Sequence, residues 1–90
     1  MTIMPKGSEP EPGAFAVAVS QEVRHLLTDR RVSGAQLSGM IGRSQSYMSK
    51  RLRADSSFTA NDLENICRVL DKDLLELLVA AVRRMRSTRP

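Results

Sequence analysis

The stretch from Gln45 to Arg51 gathers Gln45, Ser46, Tyr47, Ser49, Lys50 and Arg51 around one apolar residue, Met48, and contains no acid. An amide, hydroxyls, an ammonium and a guanidinium are donors and cations, suited to recognition by hydrogen bonding and charge. A helix facing solvent ordinarily mixes signs, because Glu and Lys four residues apart stabilise each other. An acid-free surface matches a polyanion instead. Arg43, Ser44 and Arg53 flank the stretch and extend the same chemistry.

Nothing else in the chain offers a rival chemistry. Cys67 is the single cysteine and His25 the single histidine, so no disulfide, multi-cysteine metal site or Cys–His nucleophile pair can be assembled within the chain. Neither a carboxylate pair nor a phosphate-cradling glycine loop is present, and no enzyme, metal, cofactor or small-molecule ligand is expected.

Two short helical segments must position these side chains. Leu37 and Ile41 stand four apart on one face of the first, and Met48 and Leu52 four apart on the second. Ser33 and Gln36 form a capping box that starts the first segment at Gly34; Gln36 could also reach a phosphate. Gly42 can take the left-handed geometry that ends it, and the Ser44 hydroxyl can cap the next. The product is a helix, a three-residue turn and a second helix from Gln45 to about Arg53, the arrangement that presents a helix to the major groove of DNA. In that reading Arg43, Ser44, Tyr47 and Arg53 hold the backbone, while Gln45, Ser46, Ser49 and Lys50 face base edges. Arg51 joins the contact set. Tyr47 is open to two roles, a partly buried spacer or a hydroxyl on a phosphate. Gly39 lies inside so short a helix that close approach of the next helix is one reason to tolerate it.

The elements around this pair read as helical throughout. Residues 1–13, with Pro5, Gly7, Pro10 and Pro12, form an expected mobile arm, open to a role along DNA. Phe15, Val19, Val23, Leu26 and Leu27 make the apolar stripe of a first helix from Ala14 to about Arg30. His25 falls off the stripe, and Arg30 and Arg31 are open either to phosphate or to solvated roles at the helix end. Phe58 is expected to plug the core beneath the loop after the second segment. Thr59 caps a fourth helix with Leu63, Ile66, Cys67 and Leu70 inward, and Asp73 caps a fifth from Leu74 to about Met85. Along that last helix the apolar positions cover roughly 200° of the circumference, about twice what a surface helix needs. The surplus is either buried in a monomer or, as favoured here, a homodimer face formed by Leu75, Leu78, Val79 and Val82.

Composition agrees with an all-α, compact five-helix bundle. The chain has 90 residues, 3% aromatics and no Trp, so its core must be aliphatic, and a dimer interface would help a domain this small. Lys and Arg number 14 against 10 acids, a net charge of +4. Charge of this size supports a nucleic-acid partner without requiring one. No run approaches the ~20 apolar residues of a membrane span and residues 1–13 lack a signal-peptide core, so a cytoplasmic protein without membrane contact is expected. The division expected is an arm over 1–13, a DNA-binding domain over 14–86 and a basic tail over 87–90.

The segment Ser44-Gln45-Ser46-Tyr47-Met48-Ser49-Lys50, within Ala14 to Val82, resembles the phage-repressor (Cro/CI, lambda-repressor-like) helix-turn-helix domains. The resemblance implies that the residues matching Gln45, Ser46, Ser49 and Lys50 meet bases or nearby phosphates and that the one matching Met48 is buried. It implies a double-stranded DNA operator and repression of prophage or bacterial transcription. Departures from the family pattern are Gly34, where a phosphate-binding glutamine often opens the helix, together with Ser38, Arg43 and Arg51. Leu52-Arg53-Ala54 replaces a common Glu-x-Gly. The other class of function open to the sequence is a protein-interaction module, antitoxin-like or a regulatory partner, that uses the same helices as a scaffold.

Overall fold

The computed structural model describes residues 10–87, and those residues form five helices and no strand. They are α1 (Ala14–Arg30), α2 (Gly34–Met40), α3 (Gln45–Leu52), α4 (Ala60–Val69) and α5 (Leu74–Ser87). Of the expected arm, residues 1–9 lie outside the described residues, as do residues 88–90 of the expected tail. Helix α5 continues past Met85 to Ser87.

The helix boundaries follow from local chemistry. Ser33 and Gln36 close the capping box that starts α2, with the Ser33 amide donating to Gln36 Oε1 at 2.8 Å and the Gln36 amide to Ser33 Oγ at 3.0 Å. Ser44 Oγ accepts from the Tyr47 amide at 3.0 Å, and Asp73 Oδ1 from the Glu76 amide at 2.9 Å. The left-handed residues Arg31 (φ 56°), Gly42 (φ 70°), Ala54 (φ 62°) and Asp71 (φ 52°) follow the ends of α1 to α4. Gly42 takes this conformation without strain, while the other three hold it against a Cβ.

Val23, Leu37, Ile66 and Ala81 are wholly buried, and with Leu26, Leu27, Met48, Leu63, Cys67, Leu70 and Leu77 they form one aliphatic core. Helix α1 runs along α5 and also meets α3, while α2 packs on α3 and α4 on α5. Arg84 Nη2 reaches Glu22 Oε2 at 2.7 Å and ties α5 to α1. Arg30 donates from Nε to the Leu70 carbonyl at 2.9 Å and from Nη2 to the Asp71 carbonyl at 3.2 Å. It therefore satisfies open carbonyls at the end of α4, a third role beside the phosphate contact and the solvated helix end left open for it. The Cys67 thiol is pushed up by burial first and by the Asp73 carboxylate second, so it packs as a small hydrophobe.

Two expectations about packing are corrected. Phe15 is 41% exposed, because Ala18 and Val19, one turn later, occupy the inward face of α1. Gly39 has open space around its missing Cβ, so no helix approaches it; the close approach is at Gly34, where a Cβ would lie 2.9 Å from Leu52 Cδ1.

Candidate nucleic-acid interface

Helix α3 has eight residues, too few to persist alone in water. Its conformation comes from Met48, 1% exposed, and from Leu52, partly buried against the core. With these two inward, Gln45, Ser46, Ser49 and Lys50 are all exposed, and Ser44 and Arg53 at the two ends of the helix are exposed too. One outer surface of α3 thus carries an amide, two hydroxyls and an ammonium. Arg53 is already engaged: its Nη1 donates to Ser49 Oγ at 2.6 Å and its Nη2 lies 2.9 Å from Asp55 Oδ2.

Between this surface and the first turn of α2 lies a shallow cleft of about 250 Å³, lined by Gly34, Ala35, Gln45, Met48, Ser49, Leu52 and Arg53. The opposite flank of α3 is filled instead. Tyr47 Oη donates to Asp62 Oδ2 at 2.6 Å, and Arg43 binds Asp62 Oδ1 through Nε at 3.1 Å and Nη2 at 3.0 Å. The guanidinium carbons of Arg43 and Arg51 lie 4.3 Å and 3.5 Å from the centroid of the Tyr47 ring.

Three members of the expected contact set are therefore placed differently. Arg51 is turned in and 8% exposed, because one helical turn from Tyr47 its cation meets the electron-rich ring face. Tyr47 is half-buried and spends its hydroxyl on Asp62. Arg43 has its side chain 38% exposed, but its charge is matched by the buried Asp62 carboxylate.

Asp62 itself was missed in the sequence. Burial on its own would push its carboxyl up, yet hydrogen bonds from Tyr47, Thr59 and Arg43 outweigh burial and hold the group below its ordinary value. Burial and the Asp62 acceptor push the Tyr47 phenol up, which keeps it a protonated donor. The signal was available: Thr59 and Asp62 form a reciprocal capping box, with the Asp62 amide donating to Thr59 Oγ1 at 3.0 Å and the Thr59 amide to Asp62 Oδ2 at 3.2 Å.

The expected dimer residues lie along α5. Leu75 is 70% and Val79 38% exposed, Leu78 and Val82 are half-buried, and with Arg83 and Arg86 they line a groove of about 460 Å³. Among the described residues no helix is long and apolar enough to cross a membrane, and among the same residues no group of three or more His, Cys, Asp or Glu could hold a metal ion.

Two helices at a capped tight turn, the second braced from behind and bearing donors outward, define a helix-turn-helix DNA-binding domain. The chain belongs to the Cro/C1-type HTH DNA-binding domain family, whose model matches residues 22–81. Two crystal structures of the clp gene regulator ClgR from Corynebacterium glutamicum share the fold. One has a TM-score of 0.75 at 23% identity, with 86% of this chain and 81% of that chain covered. The other has a TM-score of 0.73 at 23% identity, with 83% of this chain and 96% of that chain covered. Among curated proteins the sequence has no match.

Proposed function

We propose that the protein is a sequence-specific regulator of transcription, a repressor of the prophage or bacterial type that acts in the cytoplasm by occupying promoter DNA. The observation that carries this reading is the exposed, acid-free surface of Gln45, Ser46, Ser49 and Lys50 on a helix anchored by Met48. Gln45 reads a base through its amide fork, Ser46, Ser49 and Lys50 face base edges beside it, and Ser44 contacts the DNA backbone. Repression by occupancy needs no chemistry. The gene-regulator name of the structurally similar ClgR supports the same reading. Two copies join through Leu75, Leu78, Val79 and Val82 of α5, so the two halves of the operator stand about one helical turn, ~34 Å, apart. Selection of bound sequences from random duplexes tests the proposal. Recovery of a two-fold symmetric motif is the expected result, and recovery of no preferred sequence overturns it.

A second reading is favoured by one observation, the 70% exposure of Leu75 on the apolar side of α5. A protein-interaction module could use that face for an unlike partner. A gel shift against genomic fragments, run beside a pull-down, separates the two.

A further inference from the structure

We propose that Asp62, a residue of α4 remote from the outer surface of α3, is a positioning residue for DNA reading. It sets the rotation of α3 through Tyr47 and withholds the charge of Arg43 from the phosphate backbone. The inference rests on the reading of α3 as the DNA-facing helix and adds to it a determinant that touches no DNA.

Few side chains orient α3. Met48 and Leu52 stand four residues apart and form one line of anchors along the helix, while the buried Arg51 lies on the other side, against the Tyr47 ring. One line fixes the distance of the helix from the core but leaves rotation about its axis weakly set. Tyr47 lies about 100° around from Met48 and supplies a second line. The extensive backbone approaches of α3 are to α2 and α1, whereas α4 packs on α5. The tie between α3 and α4 is therefore made by side chains, and Asp62 is its centre.

Asp62 is 1% exposed and divides its two oxygens. Oδ2 takes the Tyr47 hydroxyl at 2.6 Å and the Thr59 amide at 3.2 Å, and Oδ1 takes Arg43 at 3.0 Å. A carboxylate fixed to the capped first turn of α4 thus holds both the turn before α3 and the first turn of α3 itself. A short, charge-assisted hydrogen bond of this kind is directional, so a change in rotation of α3 would break it. Arg43 is held at the edge of solvent with its cation already matched. Released, it would be a mobile cation beside the phosphates, attracted equally by every sequence.

These two roles give opposite signs on two kinds of DNA, which a residue serving stability alone would not do. The probes are the duplex recovered from random-sequence selection by the wild-type chain and a random duplex of the same length, bound across a salt series. Asp62→Ala is expected to bind the random duplex more tightly, to steepen its log affinity against log salt by about 0.9 for one added phosphate contact, and to lower the ratio of specific to random affinity about tenfold. Asp62→Asn keeps an acceptor for Tyr47 but loses the charge, so it steepens the slope with a smaller fall in ratio. Tyr47→Phe lowers the ratio and leaves the slope unchanged. Cys67→Ala, which trims a buried core side chain of α4 that takes no part in this cluster, lowers the melting temperature and changes neither. Equal weakening on both duplexes, in step with the melting temperature, overturns the proposal. Should Asp62→Ala fail to fold, Asp62→Asn and Tyr47→Phe decide by the same criteria. A wild-type chain that selects no sequence overturns the DNA reading and this inference with it, whereas a selected duplex read with an unchanged ratio by every variant overturns this inference alone.

Discussion

A Cβ at Gly34 would stand 2.9 Å from Leu52 Cδ1, so the first residue of α2 and the last of α3 meet at a separation that leaves room only for hydrogen. This contact lets α2 lie close against α3, and both residues line the cleft beside Gln45. Gly39, later in the same helix, meets nothing within 4 Å.

The two glycines should therefore respond differently to alanine. Gly39→Ala gains about 1 kcal/mol of helix propensity with no steric penalty. Its melting temperature should rise by about 4–8 °C. Gly34→Ala must displace the end of the Leu52 side chain, so its gain should be smaller. Thermal denaturation of both variants decides; equal gains would mean that Leu52 yields freely.

On the outer surface of α3, Gln45→Ala should weaken binding to the selected duplex by about 1–3 kcal/mol and leave random-duplex binding nearly unchanged. Lys50→Ala should reduce the salt slope by up to about 0.9. Arg51→Ala should lower the melting temperature and leave the slope as it was, since its guanidinium lies against Tyr47. A flat salt response in the wild-type chain would remove the electrostatic premise for all three. Fluorescence anisotropy with both duplexes at several salt concentrations provides the measurement.

Asp62 gives stability a defined pH dependence. Its folded pKa lies below the ordinary carboxylate value, so the unfolded chain takes up a proton first as pH falls. The contribution is fully present above about pH 4, the unfolded value, and is lost as pH falls through the folded value. Asp62→Asn should be less stable than wild type at neutral pH, and the gap should close in acid. Urea midpoints measured from about pH 7 to about pH 2.5 test this; curves that stay parallel would assign the acid response to other carboxylates.

The α5 face can be tested without disturbing the fold. Leu75 is 70% exposed, so Leu75→Glu should leave the helical signal and the core intact. It should shift sedimentation from dimer to monomer and weaken binding to a two-half-site duplex more than to a single half-site. A wild-type chain that sediments as a monomer at high concentration and binds both duplexes alike would exclude this interface.

Most of the helical boundaries were legible because they are set by neighbours in the chain. Ser33 with Gln36, Ser44 before Gln45, and Gly42 at a positive φ are local signals, and α2 and α3 form where these residues require. The burial of Met48 was legible from spacing for the same reason. The fate of the arginines was not. Arg30, Arg43 and Arg51 have the same side chain, yet one satisfies the carbonyls of Leu70 and Asp71, one pairs with Asp62, and one lies against Tyr47. A long, flexible cation takes its role from whatever acceptor or ring is within reach, and spacing along one helix does not reveal a partner on another.

By itself, then, the order of residues determined the five helices, the capped turn and the donor-rich, acid-free character of α3, since these depend on contacts within a few positions. Only the tertiary structure brought Asp62 to Tyr47 and Arg43, turned Arg51 inward and set Gly34 against Leu52. Each of those contacts joins residues from different elements, and such partners are chosen by how the helices pack to bury the aliphatic core.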